Sequence, residues 1–150
     1  MKHLLQPASA EEVKQRMLQL RPDSTRLWGV MNAAQAVAHC SLGLELATGE
    51  RRPPRLLIGR LIGRIVKRLA LGNEAPMRRN SPTDPALVVR DERELEKEVE
   101  RLRGLIDRFG AAGPDGCTTH PHSFFGRLTP HEWASLMYKH LDHHLRQFGV

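Results

Sequence analysis

The chain closes on Lys139-His140-Leu141-Asp142-His143-His144-Leu145-Arg146-Gln147. A helix brings residues four apart onto one face, so His140 and His144 present two imidazoles to the same side. That spacing suits two ligands of one metal ion. Trp133 and Met137 lie one and two turns earlier on this face, which therefore points into a core. An imidazole among apolar groups needs a hydrogen-bond partner, and a metal ion meets that need for both rings at once. The competing reading is a histidine-rich surface at a frayed terminus.

Two histidines do not complete a zinc site, because a catalytic zinc takes three protein ligands and keeps one position open. The remaining candidates are His3, His39, His120, His122, His131 and His143. His39 is preferred: Ala36 before it and Gly43 after it are small and share its face, leaving room beside the ring. Its bland alternative is a core histidine bonded to a carbonyl or carboxylate. His143 is rotated to the edge of the inward face, and His131 sits about three turns from His144, too far to share its ion. Groups expected to back the ligands are Gln35, Asp142, His143 and above all Gln147, which falls on the inward face; a histidine ligand usually donates its second N–H to such a group.

These residues need helices to carry them, and the chain reads as helices without a convincing strand. Ser9 and Glu12 form a capping box ahead of Val13, Met17 and Leu20, with an end before Arg21-Pro22. Asn32 and Gln35 start a second helix, which carries His39 and ends near Gly49. Leu57 to Leu69 is a basic amphipathic segment, interrupted by Gly59 and Gly63, whose apolar side (Ile58, Leu61, Ile62, Ile65, Leu69) is expected to pack on the bundle. Gly72 to Pro85 is a long irregular connection. From Asp91 a strong helix spaces Leu95, Val99, Leu102, Ile106 and Phe109 in steps of four and three, and Gly110 and Gly113-Pro114 end it. Thr129 as cap, Pro130 in the first position and Glu132 at the third mark the last helix start. The fold class is all-α: a four-helix bundle with a long crossover carrying an extra short helix, in a single domain spanning 1–150. Bundle cores are a usual place for metal ligands from facing helices.

Composition narrows the function classes. At 150 residues the chain can bury a usable core, 40% of it is apolar and only 5% aromatic. The formal charge of +6 comes from 23 basic and 17 acidic residues; it permits anion binding without demanding nucleic acid. Cys40 and Cys117 form no CxxC pair, which fits a reducing cytoplasm. No run approaches the roughly 20 apolar residues of a spanning helix, and the first residues lack the apolar stretch of a signal peptide.

Two blocks of sequence carry a family resemblance. Trp28-Gly29-Val30-Met31-Asn32-Ala33-Ala34-Gln35, followed by His39-Cys40, resembles the opening motif of the DinB/YfiT-like metalloenzyme superfamily. His120-Pro121, Phe125-Gly126, Leu128-Thr129, Glu132-Trp133 and Tyr138 through Phe148 resemble its closing motif, in the form of a bacterial branch whose chains end in this histidine-rich helix. The resemblance covers most of the chain and is weak through Leu56 to Leu71. It implies a mirror variant of the up-and-down four-helix bundle, with one histidine from the second helix and two from the last on one divalent metal. By position these are His39, His140 and His144, and the metal expected is zinc or nickel. The wider superfamily writes the closing motif His-x-x-x-His-x-Gly-Gln, and Arg146 stands where that glycine is common.

Relatives in the superfamily include metal-dependent transferases that use low-molecular-weight thiols. The resemblance therefore implies a thiol-dependent transferase whose partners are a small-molecule thiol or an electrophile. A metallohydrolase on the same site is the alternative. No general base stands out: His122 is the first candidate for a catalytic role, followed by His120 and Tyr138, the last expected on the outer side of its helix. The loop from His120 to Gly126 is expected to border the pocket mouth, although His120-Pro121-His122 also reads as a turn that fixes the entry to the last helix. Cys40 reads as a small buried hydrophobe. The basic stretch Arg51, Arg52, Arg55, Arg60, Arg64, Lys67, Arg68 reads first as a solvated face and second as a rim for an anionic cofactor or the contact of a non-enzymatic binding module. A third reading is a membrane-surface or nucleic-acid contact; no aromatic residue interleaves these charges, which argues against nucleic acid, and no Trp or Phe lies on the apolar side, which argues against membrane insertion, so neither is expected as a partner; a homodimer is left open.

Overall fold

The structure is a computed structural model describing residues 1–150. It holds five α-helices and no strand: α1 Pro7–Met17, α2 Ala33–Thr48, α3 Leu57–Leu71, α4 Leu95–Ala112 and α5 Pro130–Gln147. Two single 3-10 turns, Pro85–Leu87 and Gly113–Gly116, lie in the connections. Helices α1, α2, α4 and α5 pack into a helical bundle around one core. That core is aliphatic, with Trp133 and Phe109 as its largest fully buried side chains.

The two helices that carry the histidines are the two with complete capping boxes. Asn32 Oδ1 accepts from the Gln35 amide at 2.9 Å while the Asn32 amide donates to Gln35 Oε1 at 3.1 Å. Thr129 and Glu132 repeat the exchange at the head of α5 at 2.8 and 3.1 Å. Each exchange satisfies two amides that a helix start leaves without partners. At the far end of α2, Gly49 takes φ +80°, the left-handed turn that closes a helix at little cost for glycine.

Five expectations need correction. The α1 start is not a Ser9–Glu12 box: Pro7 takes the first position, and Ser9 Oγ donates instead to Gln6 Oε1 at 3.0 Å. Helix α1 stops at Met17, short of Leu20, and α4 begins at Leu95 instead of Asp91. Val99 is only partly buried, and Leu105 takes its place in the core. Tyr138 does not face outward; it is buried against α1, its hydroxyl donating to Glu12 Oε1 at 3.1 Å.

The largest departure is α3. It is no short insert, at 15 residues. It also does not pack its apolar side on the bundle, because its buried positions are Gly59 and Gly63. A Cβ at Gly59 would lie 2.5 Å from the carbonyl oxygen of Phe124, and one at Gly63 2.1 Å from the same oxygen. The helix is thus pressed against backbone that only glycine can approach. Lys139 of α5 caps its far end, donating to the carbonyls of Ala70 and Asn73, the latter at 3.0 Å.

Candidate metal centre

Helices α2 and α5 bring His39, His140 and His144 together, with one potential ligand atom from each lying within 4.8 Å of the others. His39 is buried and the other two are partly buried. The rings meet edge to face in all three pairs, with centroids 4.7 to 4.9 Å apart. Room for the His140 ring comes from Gly43: a Cβ there would sit 2.9 Å from Nδ1 of His140. The small-residue stripe of α2 therefore has a specific use.

The outer nitrogens fix the inner ones. His39 Nδ1 donates to the carbonyl of Leu87 at 2.7 Å. A carbonyl only accepts, so the proton is on Nδ1 and Nε2 carries a lone pair. His144 Nδ1 likewise donates to Gln147 Oε1 at 2.9 Å, because the Gln147 amide nitrogen is used on the carbonyl of Trp28 at 2.7 Å. Two Nε2 lone pairs therefore face the cluster, and His140, whose Nε2 lies 2.8 Å from that of His39, can supply one proton at most between them. The donor set is electron-rich and short of protons, which fits a divalent cation. A tetrahedral ion with bonds of about 2.0–2.1 Å spaces its nitrogens by about 3.3 Å, so His39 and His140 would part by roughly half an ångström to take it.

Burial keeps the rings neutral. It pushes His144 down to about 3, with the His39 charge acting in the same direction and the Gln147 bond partly opposing. His140 is driven well below the ordinary histidine value by burial first and by its neighbours His39 and His144 next. Burial also lowers His39, against the Leu87 carbonyl, which favours its protonated form. A neutral imidazole is the form that binds a metal.

Of the groups expected behind the ligands, Gln147 is in place. Gln35 is not: its side chain caps α2 and donates to the carbonyl of Asp91 at 3.1 Å. Nor is Asp142, which bridges Arg16 Nη1 and Arg146 Nε at 2.7 Å each. That pairing also turns Arg146 outward, away from the cluster. His143 stays at the rim, its ring against those of Trp28 and His144 at 5.5 and 5.1 Å. The group that sequence reading missed is the Leu87 carbonyl. It is backbone, reaches His39 from a turn 48 residues away, and carries no side-chain signal beyond the Asp84-Pro85 start of that turn.

His122 serves its own loop. Its Nδ1 accepts from the amides of Phe124 and Phe125 at 3.0 and 3.3 Å, and its backbone pairs with Gly126 in both directions. The ring stacks between Phe125 and Trp133, and burial lowers it to about 4. Nδ1 is occupied, so only Nε2 could meet a ligand. Neither cysteine is activated: burial raises both thiols, Cys40 most strongly. His131 meets His3 edge to face at 4.7 Å, and His120 Nε2 is buried without a partner; neither belongs to the cluster.

The family described as "protein of unknown function (DUF1569)" matches residues 2–149, and the chain belongs to that family. No curated protein and no solved structure matches the chain.

Proposed function

We propose that this DUF1569 protein is a metal-dependent transferase that activates a low-molecular-weight thiol, with zinc or nickel held by His39, His140 and His144. The observation that carries the reading is the proton-poor cluster of three imidazoles, with two of its outer N–H groups already spent on Leu87 and Gln147. The resemblance of the Trp28–Cys40 and His120–Phe148 segments to the DinB/YfiT-like superfamily supplies the reaction class. The mirror variant of the up-and-down bundle is part of this reading.

An ion in such a site lowers the pKa of a thiol offered to it, so that thiolate is available near neutral pH. The chain's own residues then have three tasks. His39, His140 and His144 stay neutral and hold the site. Leu87 and Gln147 lock two of the rings in the tautomer that turns Nε2 inward. His122, its Nδ1 held by the Phe124 and Phe125 amides, orders the loop that leads toward α5. No protein thiol competes, because Cys40 is buried and Cys117 is raised above its ordinary value.

Protein loaded with zinc or nickel and incubated with a thiol and a chloroaromatic electrophile should form the thioether with release of chloride. Turnover should need the metal and vanish in His140→Ala. Failure with every thiol, together with metal-dependent hydrolysis of an ester or amide, would reassign the site to a metallohydrolase.

A further inference from the structure

Helix α3 has three stripes. At about 100° per residue, Gly59, Gly63 and Ala70 fall together on the side pressed against Phe124. Arg60, Arg64 and Arg68 form a second ridge. Leu57, Ile58, Leu61, Ile62, Ile65 and Leu69 form the third, and all six are exposed, Leu61 by 82% and Leu57 by 78%. The chain has eleven large exposed apolar side chains, and six of them are here. A contiguous bare ridge of this kind marks a surface that meets something.

The charges say what. Between residues 51 and 73 there are seven basic residues and no acidic one. That exceeds the chain's whole net charge of +6, so the remainder of the molecule is slightly negative. Arg60, Arg64 and Arg68 make no ion pair and no side-chain hydrogen bond, whereas Lys67 is spent on Glu132 at 2.8 Å. A second copy of this chain, paired through the same segment, would bring no acidic residue of that segment to meet these guanidiniums. The ridge runs about 18 Å along one side of a single helix. An apolar ridge flanked by unpaired arginines, on a helix that carries no acid, is complementary to a flat surface that is anionic outside and hydrocarbon beneath.

We propose that α3 is a membrane-surface contact, which lays Leu57, Leu61, Ile65 and Leu69 into the interface of an anionic bilayer while Arg60, Arg64 and Arg68 meet the headgroup phosphates. The helix lies on the surface and does not span it; no helix in the chain is long and apolar enough to cross a membrane. With no Trp or Phe on the ridge the anchor is shallow, so binding is reversible and falls with added salt. The glycine seat makes α3 a fixed part of the bundle, which therefore docks as a body.

The test is flotation of the full chain with vesicles of phosphatidylcholine alone and of phosphatidylcholine mixed with phosphatidylglycerol. The chain should float only with the anionic vesicles, and salt should release it. Arg64→Gln/Arg68→Gln should weaken binding about fivefold for each arginine removed. Leu61→Gln/Ile65→Gln should also lose most of the bound fraction, because the ridge supplies the apolar share. These side chains are exposed, so both variants should keep the wild-type circular dichroism and melting temperature. Absence from both vesicle types, or equal binding to both, would overturn the proposal. So would full retention by Leu61→Gln/Ile65→Gln, or a dimer in light scattering that this variant dissolves, which would assign the ridge to a second copy.

Discussion

The seam between α2 and α5 and the outer side of α3 show opposite uses of glycine and of apolar spacing. In the seam, Gly43 opens space that the His140 ring fills, and the helix faces around it are buried. On α3, Gly59 and Gly63 bring the helix down on a loop, and the apolar ridge is left bare. Both helices have apolar residues at helical spacing. Periodicity tells which residues share a face; it does not tell whether that face is covered. What separates the two regions is the polar company. Each seam histidine meets another group at hydrogen-bond distance, whereas three arginines of α3 meet none.

The contrast breaks most visibly under truncation. Phe109→Ala in the covered core should cost about 3–5 kcal/mol in chemical denaturation, while Leu61→Ala on the bare ridge should stay within about 0.5 kcal/mol. A comparable loss at Leu61 would mean that α3 is covered within the chain.

The next effect is electrostatic. His122 stays neutral in the fold until about pH 4, whereas in the unfolded chain it protonates near the ordinary value of about 6.5. The unfolded state takes up the proton first, so stability should fall as pH drops through that window, by about 3 kcal/mol from this group alone. In chelator-treated protein, His122→Gln should flatten the slope of stability against pH by that amount, and Arg64→Gln should leave it unchanged. An unaltered slope in His122→Gln would place the buried proton acceptor elsewhere.

Metal affinity separates the two glutamines. Gln147→Leu removes the acceptor of His144 Nδ1 and should weaken binding roughly 10- to 100-fold in a competition titration. Gln35→Leu, which touches only the α2 cap and Asp91, should leave it within about twofold. Equal losses would restore Gln35 to the site.

The smallest contrast lies in the caps. Thr129→Ala should cost about 1 kcal/mol in thermal melts because the Glu132 amide loses the hydroxyl that accepts it. Ser9→Ala should cost less, since Ser9 bonds only to Gln6.

Legibility followed distance along the chain. The two capping boxes and the His140–His144 pair are set within four residues, and spacing alone located them. His39 was legible because small neighbours on its own helix mark the space. Gln147 followed from the same inward face as the histidines. Asp142 was misplaced because its partner Arg16 lies 126 residues away, and the Leu87 carbonyl was invisible because backbone has no sequence signature. Tyr138 lies off the histidine face of α5, but that side is covered by α1, where its hydroxyl finds Glu12. On α3 the amphipathic spacing predicts a shared apolar face, but nothing in it says that the face is covered.

Metal analysis of the full chain purified without chelators, with its His140→Ala partner prepared alongside, tests the central claim most directly. One zinc or nickel ion per chain in the wild type, lost in His140→Ala while helical content is kept, is the predicted result. A wild-type chain that holds no stoichiometric metal and takes none up on titration, or a His140→Ala variant that keeps its ion, would contradict it.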